Sequence, residues 1–247
     1  MSSGLLRPAV MKGAFGPEKV ADGLWRVQGN PARMNVFFIE EAGELVMFDA
    51  GGYCMLDQIR EAIAEIGLPL REIVLGHGHT DHRGTAPYLG VPVRCHTDEV
   101  QDATGSGGYR YWDFSKLPMP DRALHREVLH PRFWDGGPVQ IADTIKAGDT
   151  VAGFEVMHVP GHAPGLISLI RTSDGVALTS DTFYVVDRHA KDDDPHTPLA
   201  AYNLDTAQAQ RSIHDLSERT ELTVCWPGHG EALRGDVQAR LRHAATT

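Results

Sequence analysis

The 247-residue sequence contains only three cysteines: Cys54, Cys95 and Cys225. They are widely spaced and form no Cys-x-x-Cys pair, which argues against a disulfide framework and a thiolate zinc site and favours a reducing compartment. The sequence has no apolar run of about eighteen residues, and its N-terminal stretch lacks the apolar segment of a signal peptide. We therefore expect a cytoplasmic protein that does not span a membrane.

Basic residues are also scarce. The 23 lysines and arginines are outnumbered by 33 acidic residues, and the net charge is −10 with histidine neutral. Nucleic acid and anionic membranes both require a positively charged binding surface, so neither is an expected partner. Apolar residues make up 42% of the chain, enough for a sizeable core. The length, and the lack of any visible linker, predict one domain over residues 1–247.

The hydrophobic pattern predicts short strands in two groups, each followed by helices, and therefore an α/β protein. The predicted strands are residues 25–27, 35–39, 44–48, 73–75, 91–95, 141–145, 154–159, 166–170, 176–179 and 223–226. The predicted helices are residues 56–66, 85–89, 97–103, 204–216 and 237–243. Glycines and prolines interrupt residues 1–20, which are expected to form an N-terminal arm.

Residues 105–140 differ from the rest because they are rich in glycine, proline and aromatic side chains. A long insertion of this kind in a compact domain is usually functional. We predict that it covers the functional site as a lid or pocket wall, and that the substrate is a small molecule with an apolar or aromatic group. A homodimer interface and ordinary core packing are the alternatives. The residues expected nearest the substrate are Tyr111, Trp112, Phe133 and Trp134.

A dense set of ligand-type residues follows the strand predicted at 73–75. His77 and His79 alternate along an extended stretch, so they point the same way and can converge on one ion. Asp81 and His82 lie past the bend and can turn to a second ion. Imidazole and carboxylate together suit zinc, and also iron, manganese or cobalt. Four such residues in six positions therefore predict a metal site.

Three more ligand-type residues stand in tight turns directly after predicted strands. His162 lies in Pro-Gly-His, Asp181 in Thr-Ser-Asp-Thr, and His229 in Pro-Gly-His-Gly. Each turn alone is a weak signal. The repeated order of strand, turn and ligand is stronger, because strand ends deliver side chains to one edge of a sheet.

The motifs HGHTDH, PGHAPG, TSDT and PGHG, in this order and preceded by FDAGG, resemble those of the metallo-β-lactamase superfamily. The resemblance covers roughly residues 20–235 and implies a four-layer αββα sandwich with metals at one edge. It implies that one ion is held by His77, His79 and His162, that a second is held by Asp81, His82 and His229, and that Asp181 bridges both. Asp49 would orient a ligand histidine through a hydrogen bond, the alternative being a simple strand-end cap.

Two positions point to a branch of the superfamily. True β-lactamases of this type have a cysteine where this chain has Asp181, and they usually lack the histidine at position 82. The sequence instead resembles glyoxalase II and the acyl-homoserine-lactone lactonases. Lactonases also have a tyrosine at the place of Tyr184 that contacts the substrate carbonyl. Strict strand alternation would direct Phe183 to the metals, so Tyr184 reaches them only if the chain turns after Asp181.

The resemblance implies a hydrolase with two divalent ions, zinc by default, that lie about 3.5–4 Å apart and share a hydroxide. This hydroxide would attack the carbonyl of an ester, lactone or thioester, with Asp81 carrying a proton to the leaving group. Two alternatives remain: an oxidoreductase similar to the mononuclear-iron persulfide dioxygenases, and a non-catalytic member that binds a ligand. Arg83, next to these ligands, is expected either to meet an anionic group or to face solvent.

Overall fold

The computed structural model describes residues 16–30, 32–117, 119, 121–123, 134–186 and 194–247. Within them the chain forms two β-sheets with helices on their outer faces. The strands are β1 Glu18–Ala21, β2 Leu24–Gly29, β3 Met34–Glu41, β4 Glu44–Phe48, β5 Leu70–Val74, β6 Val93–His96, β7 Asp143–Ile145, β8 Thr150–Val151, β9 Phe154–His158, β10 Ile167–Arg171, β11 Val176–Ser180, β12 Val224–Pro227 and β13 Leu233–Arg234. The α-helices are α1 Leu56–Ile66, α2 Thr80–Arg83, α3 Val100–Thr104, α4 Thr206–Ser217 and α5 Val237–Ala244.

The first sheet contains β1 to β7 in chain order. Strands β1 to β4 pair antiparallel, and β4 to β7 pair parallel. Each parallel pair needs a crossover, and α1 makes the one between β4 and β5. Helix α1 ends where Gly67 adopts a left-handed conformation at φ 79°, as the helical periodicity and this glycine predict.

The second sheet has the order β13-β12-β11-β10-β9-β8. Its strands pair antiparallel except for β11 and β12, which are parallel and are joined through α4. The parallel pair matters for function, because the carboxyl ends of both strands then reach the same edge of the sheet.

Alternating side chains along the strands divide the core into layers. In β3, Phe37 packs between the two sheets with Leu169 and Trp226, whereas Phe38 packs on the outer face against α1. On the outer face of the second sheet, Ala177 packs with residues of α4 and α5. Two inner faces that share a core, with helices outside each, make the αββα sandwich predicted from the sequence.

Two expectations differ from the structure. The arm predicted over residues 1–20 ends earlier, because β1 begins at Glu18 and pairs with β2; residues 1–15 lie outside the described part. Arg83 does not face solvent: it is fully buried, and it donates to the carbonyls of Asp102, Ala103 and Gly105 and to the carboxylate of Asp135.

The described part of the predicted insertion holds turns around residues 105–111 and a short 3₁₀ helix at Phe114–Lys116. Arg83, next to His82, contacts the carbonyl of Gly105 at the start of this segment and the carboxylate of Asp135 near its end. In the described parts of the chain, no helix has the length and apolar character needed to cross a bilayer.

Candidate metal centre

Five loops bring ligand-type side chains to one edge of the sandwich. Asp49 follows β4, the stretch 77–82 follows β5, His162 follows β9, Asp181 follows β11 and His229 follows β12. Because β4 pairs parallel with β5, and β11 with β12, the carboxyl ends of each pair lie side by side. The fold therefore gathers residues from both halves of the sequence at one place.

The first group of ligand-type side chains is His77, His79 and His162, all of them buried. Their candidate ligand atoms lie within 4.8 Å of one another. Nε2 of His162 is 3.1 Å from Nδ1 of His79. Nε2 of His77 is 3.9 Å, and Nε2 of His162 3.5 Å, from the same oxygen of Asp181. These three imidazoles converge on a space large enough for one ion.

The second group is Asp81, His82 and His229, whose candidate ligand atoms also lie within 4.8 Å of one another. Nε2 of His229 lies 3.4 Å from Oδ2 of Asp81 and 3.3 Å from Nε2 of His82. An imidazole pair with one carboxylate is a donor set that divalent metals accept.

Asp181 lies between the two groups and contacts both. Its Oδ2 lies 3.5 Å from Nε2 of His162 and 3.5 Å from Nε2 of His229, and its Oδ1 lies 3.3 Å from Nε2 of His82. Ser180, just before it, has φ 43°, so the strand ends abruptly and turns the Asp181 carboxylate into the centre. One carboxylate thus touches histidines of both groups.

Two polar atoms at the centre are left without a hydrogen-bond partner among the described residues. They are Nε2 of His77 and Oδ1 of Asp181, and both are buried. A buried acceptor without a partner costs about 1–3 kcal/mol, so such atoms require an explanation. A metal ion would supply it, because both atoms lie within 4 Å of other candidate ligand atoms of the centre. The residues present therefore fit divalent metal.

The two groups differ electrostatically. Burial is the largest cause that lowers the pKa of every histidine in the first group, so these imidazoles are neutral and ready to bind metal. Burial also disfavours charge on His82 and His229, but the nearby carboxylates outweigh it. They raise the pKa of His82 well above its ordinary value and that of His229 to about 10. Metal entering the second group must therefore displace protons.

The ring nitrogens that face away from the centre are each held by another group. Nδ1 of His82 is 2.9 Å from Asp49, and Nδ1 of His162 is 2.8 Å from the side-chain oxygen of Asn203. Nδ1 of His229 is 2.9 Å from the carbonyl oxygen of Ala32. Such bonds fix the tautomer and the orientation of a ligand histidine. Asp49 thus occupies the place that the orienting role requires.

Asp49 does more than contact His82. Its Oδ1 accepts from the amide of Gly76, and its Oδ2 accepts from the hydroxyl of Ser180. The same hydroxyl lies 3.1 Å from Nδ1 of His77. The Asp49 carboxylate therefore links the loops after β4 and β5 to the end of β11.

Tyr184 meets the geometric condition for its predicted role. Strand β11 ends at Ser180, and the chain turns, so the Tyr184 hydroxyl donates to Oδ2 of Asp181 at 3.0 Å. Its ring lies 5.8 Å from that of His162 and 5.7 Å from that of His229. Phe183, which strict alternation favoured, is fully buried in the core beside α4.

The aromatic segment reaches the centre through two of its predicted residues. The hydroxyl of Tyr111 lies 2.6 Å from Nε2 of His79, and the ring of Trp112 lies 4.9 Å from the His79 ring. Trp112 also packs against Tyr202 at 5.5 Å. Tyr111 therefore contacts a candidate ligand histidine, an interaction that composition alone could not indicate.

For the other two predicted pocket residues, Trp134 and Phe133, the structure gives no contact with the candidate ligands among the described residues. The carbonyl of Trp134 accepts from the amide of Tyr53, which places its backbone beside the loop after β4. Phe133 lies outside the described residues.

Sequence analysis missed three residues that support the centre. Ser180 and Asn203 contact candidate ligand histidines, and the buried Glu99 accepts from two loop amides. Burial raises the pKa of Glu99 to about 8, and the two amide hydrogen bonds oppose this rise because they favour the ionised carboxylate. Only Ser180 carries a signal in the sequence, since it stands inside the Thr-Ser-Asp-Thr turn.

Comparisons with known proteins place hydrolases among the relatives of this chain. The chain is 29% identical over 226 residues to the probable metallo-hydrolase YflN of Bacillus subtilis, covering 81% of this chain and 82% of that one. It is 28% identical over 142 residues to the hydroxyacylglutathione hydrolase GloC of Haemophilus influenzae, covering 56% of this chain and 60% of that one.

A solved structure shows the same fold. A metallo-beta-lactamase family protein from Thermus thermophilus superposes with a TM-score of 0.67 at 24% identity, covering 92% of this chain and 80% of that one. The family model described as the metallo-beta-lactamase superfamily matches residues 30–229, which include both groups of ligand-type residues. The chain therefore belongs to the metallo-beta-lactamase superfamily.

Proposed function

We propose that the protein is a dinuclear metal-dependent hydrolase that cleaves an ester, lactone or thioester. The observation that carries the proposal is the position of Asp181, whose carboxylate lies within 3.5 Å of histidine nitrogens from both groups. His77, His79 and His162 would hold one ion, Asp81, His82 and His229 the other, and Asp181 both. Zinc suits this donor set best, with iron, manganese or cobalt as alternatives.

Bound divalent metal supplies Lewis acidity and lowers the pKa of water enough to provide a nucleophile at neutral pH. The chain's own residues add orientation and proton transfer. Burial opposes charge on Asp81, but His82 and His229 outweigh it and lower its pKa to about 2. This shift describes the metal-free protein; with metal bound, a coordinating Asp81 would also be ionised, and it could accept a proton and pass it to the leaving group.

Tyr184 is the second residue with a proposed chemical role. Burial and the charge of Asp181 raise its pKa well above the ordinary value, so its hydroxyl stays protonated. If metal engages the Asp181 carboxylate, the phenol can turn its single proton from Asp181 to the carbonyl oxygen of a substrate as negative charge develops there. The indole and phenol rings of Trp112 and Tyr202 would contact an apolar or aromatic part of the substrate.

The residue at position 181 supports the proposed branch of the superfamily. A carboxylate at 181 in place of a cysteine supports a carbonyl substrate other than a β-lactam, and the similarity to GloC supports an ester-like or thioester bond. A mononuclear-iron oxidoreductase is the second candidate. The complete second group, with its three ligand atoms within 4.8 Å, favours the dinuclear hydrolase over it.

The test is a substrate comparison in the presence and absence of metal. We expect the purified protein to hydrolyse an aryl ester or an aryl-substituted lactone, to lose this activity after treatment with a strong chelator, and to regain it with Zn²⁺. We expect little turnover of a cephalosporin at the same enzyme concentration. Rapid cephalosporin hydrolysis, or ester hydrolysis that survives complete removal of metal, would contradict the proposal.

A further inference from the structure

A carboxylate outside the metal centre connects the two loops that carry the first group. Glu99 lies in the 3₁₀ turn Thr97–Glu99 directly after β6, and its side chain is fully buried. Its Oε1 accepts a hydrogen bond from the amide of Gly78 at 2.8 Å, and its Oε2 accepts one from the amide of Gly165 at 2.7 Å. Both oxygens are thus engaged by backbone donors from different loops.

The two glycines are placed next to metal ligands. Gly78 stands between His77 and His79, and Gly165 closes the Pro-Gly-His-Ala-Pro-Gly loop that carries His162. The Glu99 side chain therefore connects the loop that carries His77 and His79 to the loop that carries His162.

The packing around these bonds is tight enough to require both glycines. A Cβ at position 78 would lie 2.6 Å from the amide nitrogen of Ala103, and a Cβ at position 165 would lie 2.5 Å from that of Glu99. The second loop has one more anchor, because Nε2 of His158 lies 2.9 Å from the carbonyl oxygen of Pro164. The segment that carries Glu99 is thus in direct contact with both loops.

We propose that Glu99 is a positioning residue that preforms the His77, His79 and His162 site. Without metal, the two loops meet at the centre in the 3.1 Å contact between Nε2 of His162 and Nδ1 of His79, and the two amide hydrogen bonds of Glu99 add a connection that does not use the ligand nitrogens. When a site already has its binding geometry before metal arrives, less free energy is spent on ordering the ligands, and the metal binds more tightly. This inference rests on the proposed metal centre, although it needs no assumption about the substrate.

The test is a zinc titration of the chelator-treated Glu99→Gln protein against a chromophoric chelator. The amide NH₂ that replaces one oxygen cannot accept a hydrogen bond, so one of the two loops is released. We expect the affinity for one ion to fall about 10- to 100-fold, the usual effect of losing a group that orients metal ligands. The affinity for the other ion should change less than about threefold, which is small beside the loss expected for the first ion. Repeating the titration with His229→Ala in both proteins assigns the weakened step to the first group.

Glu72→Gln is the matched control. Glu72 is another carboxylate with little exposure, and both of its oxygens accept from Arg94 within the first sheet, away from the two loops. The control should lower the melting temperature without changing either zinc affinity. In ¹⁵N-glycine-labelled protein, Glu99→Gln should also shift the amide signals of Gly78 and Gly165, and Glu72→Gln should leave them in place.

Zinc affinities in folded Glu99→Gln that match the wild type would overturn the role of Glu99 while leaving the metal centre intact. A wild-type protein that binds no zinc would overturn the metal centre and this inference together. If Glu99→Gln does not fold, Glu99→Asp retains a carboxyl group, yet it is one methylene too short to reach both amides and should show the same loss. In the wild type itself, exchange of the Gly78 and Gly165 amides as fast as that of exposed loop amides would also overturn the proposal.

Discussion

Replacing Asp181 with alanine is expected to remove metal from both groups and to reduce ester hydrolysis by about 10³-fold or more. The carboxylate is the contact shared by the two groups, with oxygens 3.3 to 3.5 Å from nitrogens of His82, His162 and His229. Metal supplies several kcal/mol of transition-state stabilisation, and each ~1.4 kcal/mol corresponds to a factor of ten in rate. Elemental analysis and the rate of aryl ester hydrolysis measure the two effects. His79→Ala should have a similar outcome, because it removes a ligand of the first group.

Asp174→Ala provides the control for Asp181→Ala. Asp181 follows strand β11, and Asp174 lies just before the start of the same strand. There Asp174 pairs with Arg171 at the surface. Exposed ion pairs of this kind contribute about 0–1 kcal/mol, so metal content and rate should stay at the wild-type level. An Asp181→Ala protein that keeps both ions and its activity would show that the centre is not built around this carboxylate.

Tyr184→Phe should lower kcat by about 10²–10³-fold with a smaller change in KM, the usual loss for one donor to a developing oxyanion. The hydroxyl lies 3.0 Å from Asp181, and the ring is flanked by those of His162 and His229, so the group stands directly at the centre. Only a hydroxyl is removed, so metal content and melting temperature should remain close to those of the wild type. Steady-state kinetics on an aryl ester, together with metal analysis, give the comparison.

Tyr88→Phe is the matched control for Tyr184→Phe. The Tyr88 hydroxyl donates to the carbonyl of Gly136 at 2.9 Å, and the side chain is exposed at the surface. The Tyr88→Phe protein loses one hydrogen bond of similar length, and its kcat and KM should not change. A Tyr184→Phe protein whose kcat is also unchanged would mean that the tyrosine only packs against the centre. A loss of metal in this variant would instead assign the hydroxyl to holding Asp181.

Much of the fold was predictable because its strongest elements carry local signals. The predicted bounds of β4 at 44–48 and α1 at 56–66 coincide with the observed ones, since alternation, helical spacing and a glycine C-cap all act within a few residues. The short strands β1, β8 and β13 were not predicted. Each lies at the edge of a sheet, and β8 and β13 have only two residues, too few for a periodic pattern.

The candidate ligands were predictable for a related reason, because each stands in a short motif directly after a strand. The residues that orient the candidate ligands could not be predicted. Asn203 is 41 positions from His162, and Glu99 belongs to a polar Thr-Asp-Glu stretch that is typical of an exposed helix start. Their contacts arise only when distant loops meet at the edge of the sandwich. Arg83 shows the same limit: it does not face solvent, and the anionic group that it meets is the carboxylate of Asp135, 52 positions away, beside three backbone carbonyls.

The metal content of the purified protein, prepared without chelators, tests the central claim most directly. Two complete groups of ligand atoms joined by Asp181 predict about two divalent ions per chain, with zinc as the default metal. Quantitative elemental analysis against the protein concentration gives this ratio. Two ions per chain, lost together in Asp181→Ala, is the result that the structure predicts. One iron per chain and no second metal would contradict the dinuclear hydrolase and favour the mononuclear oxidoreductase.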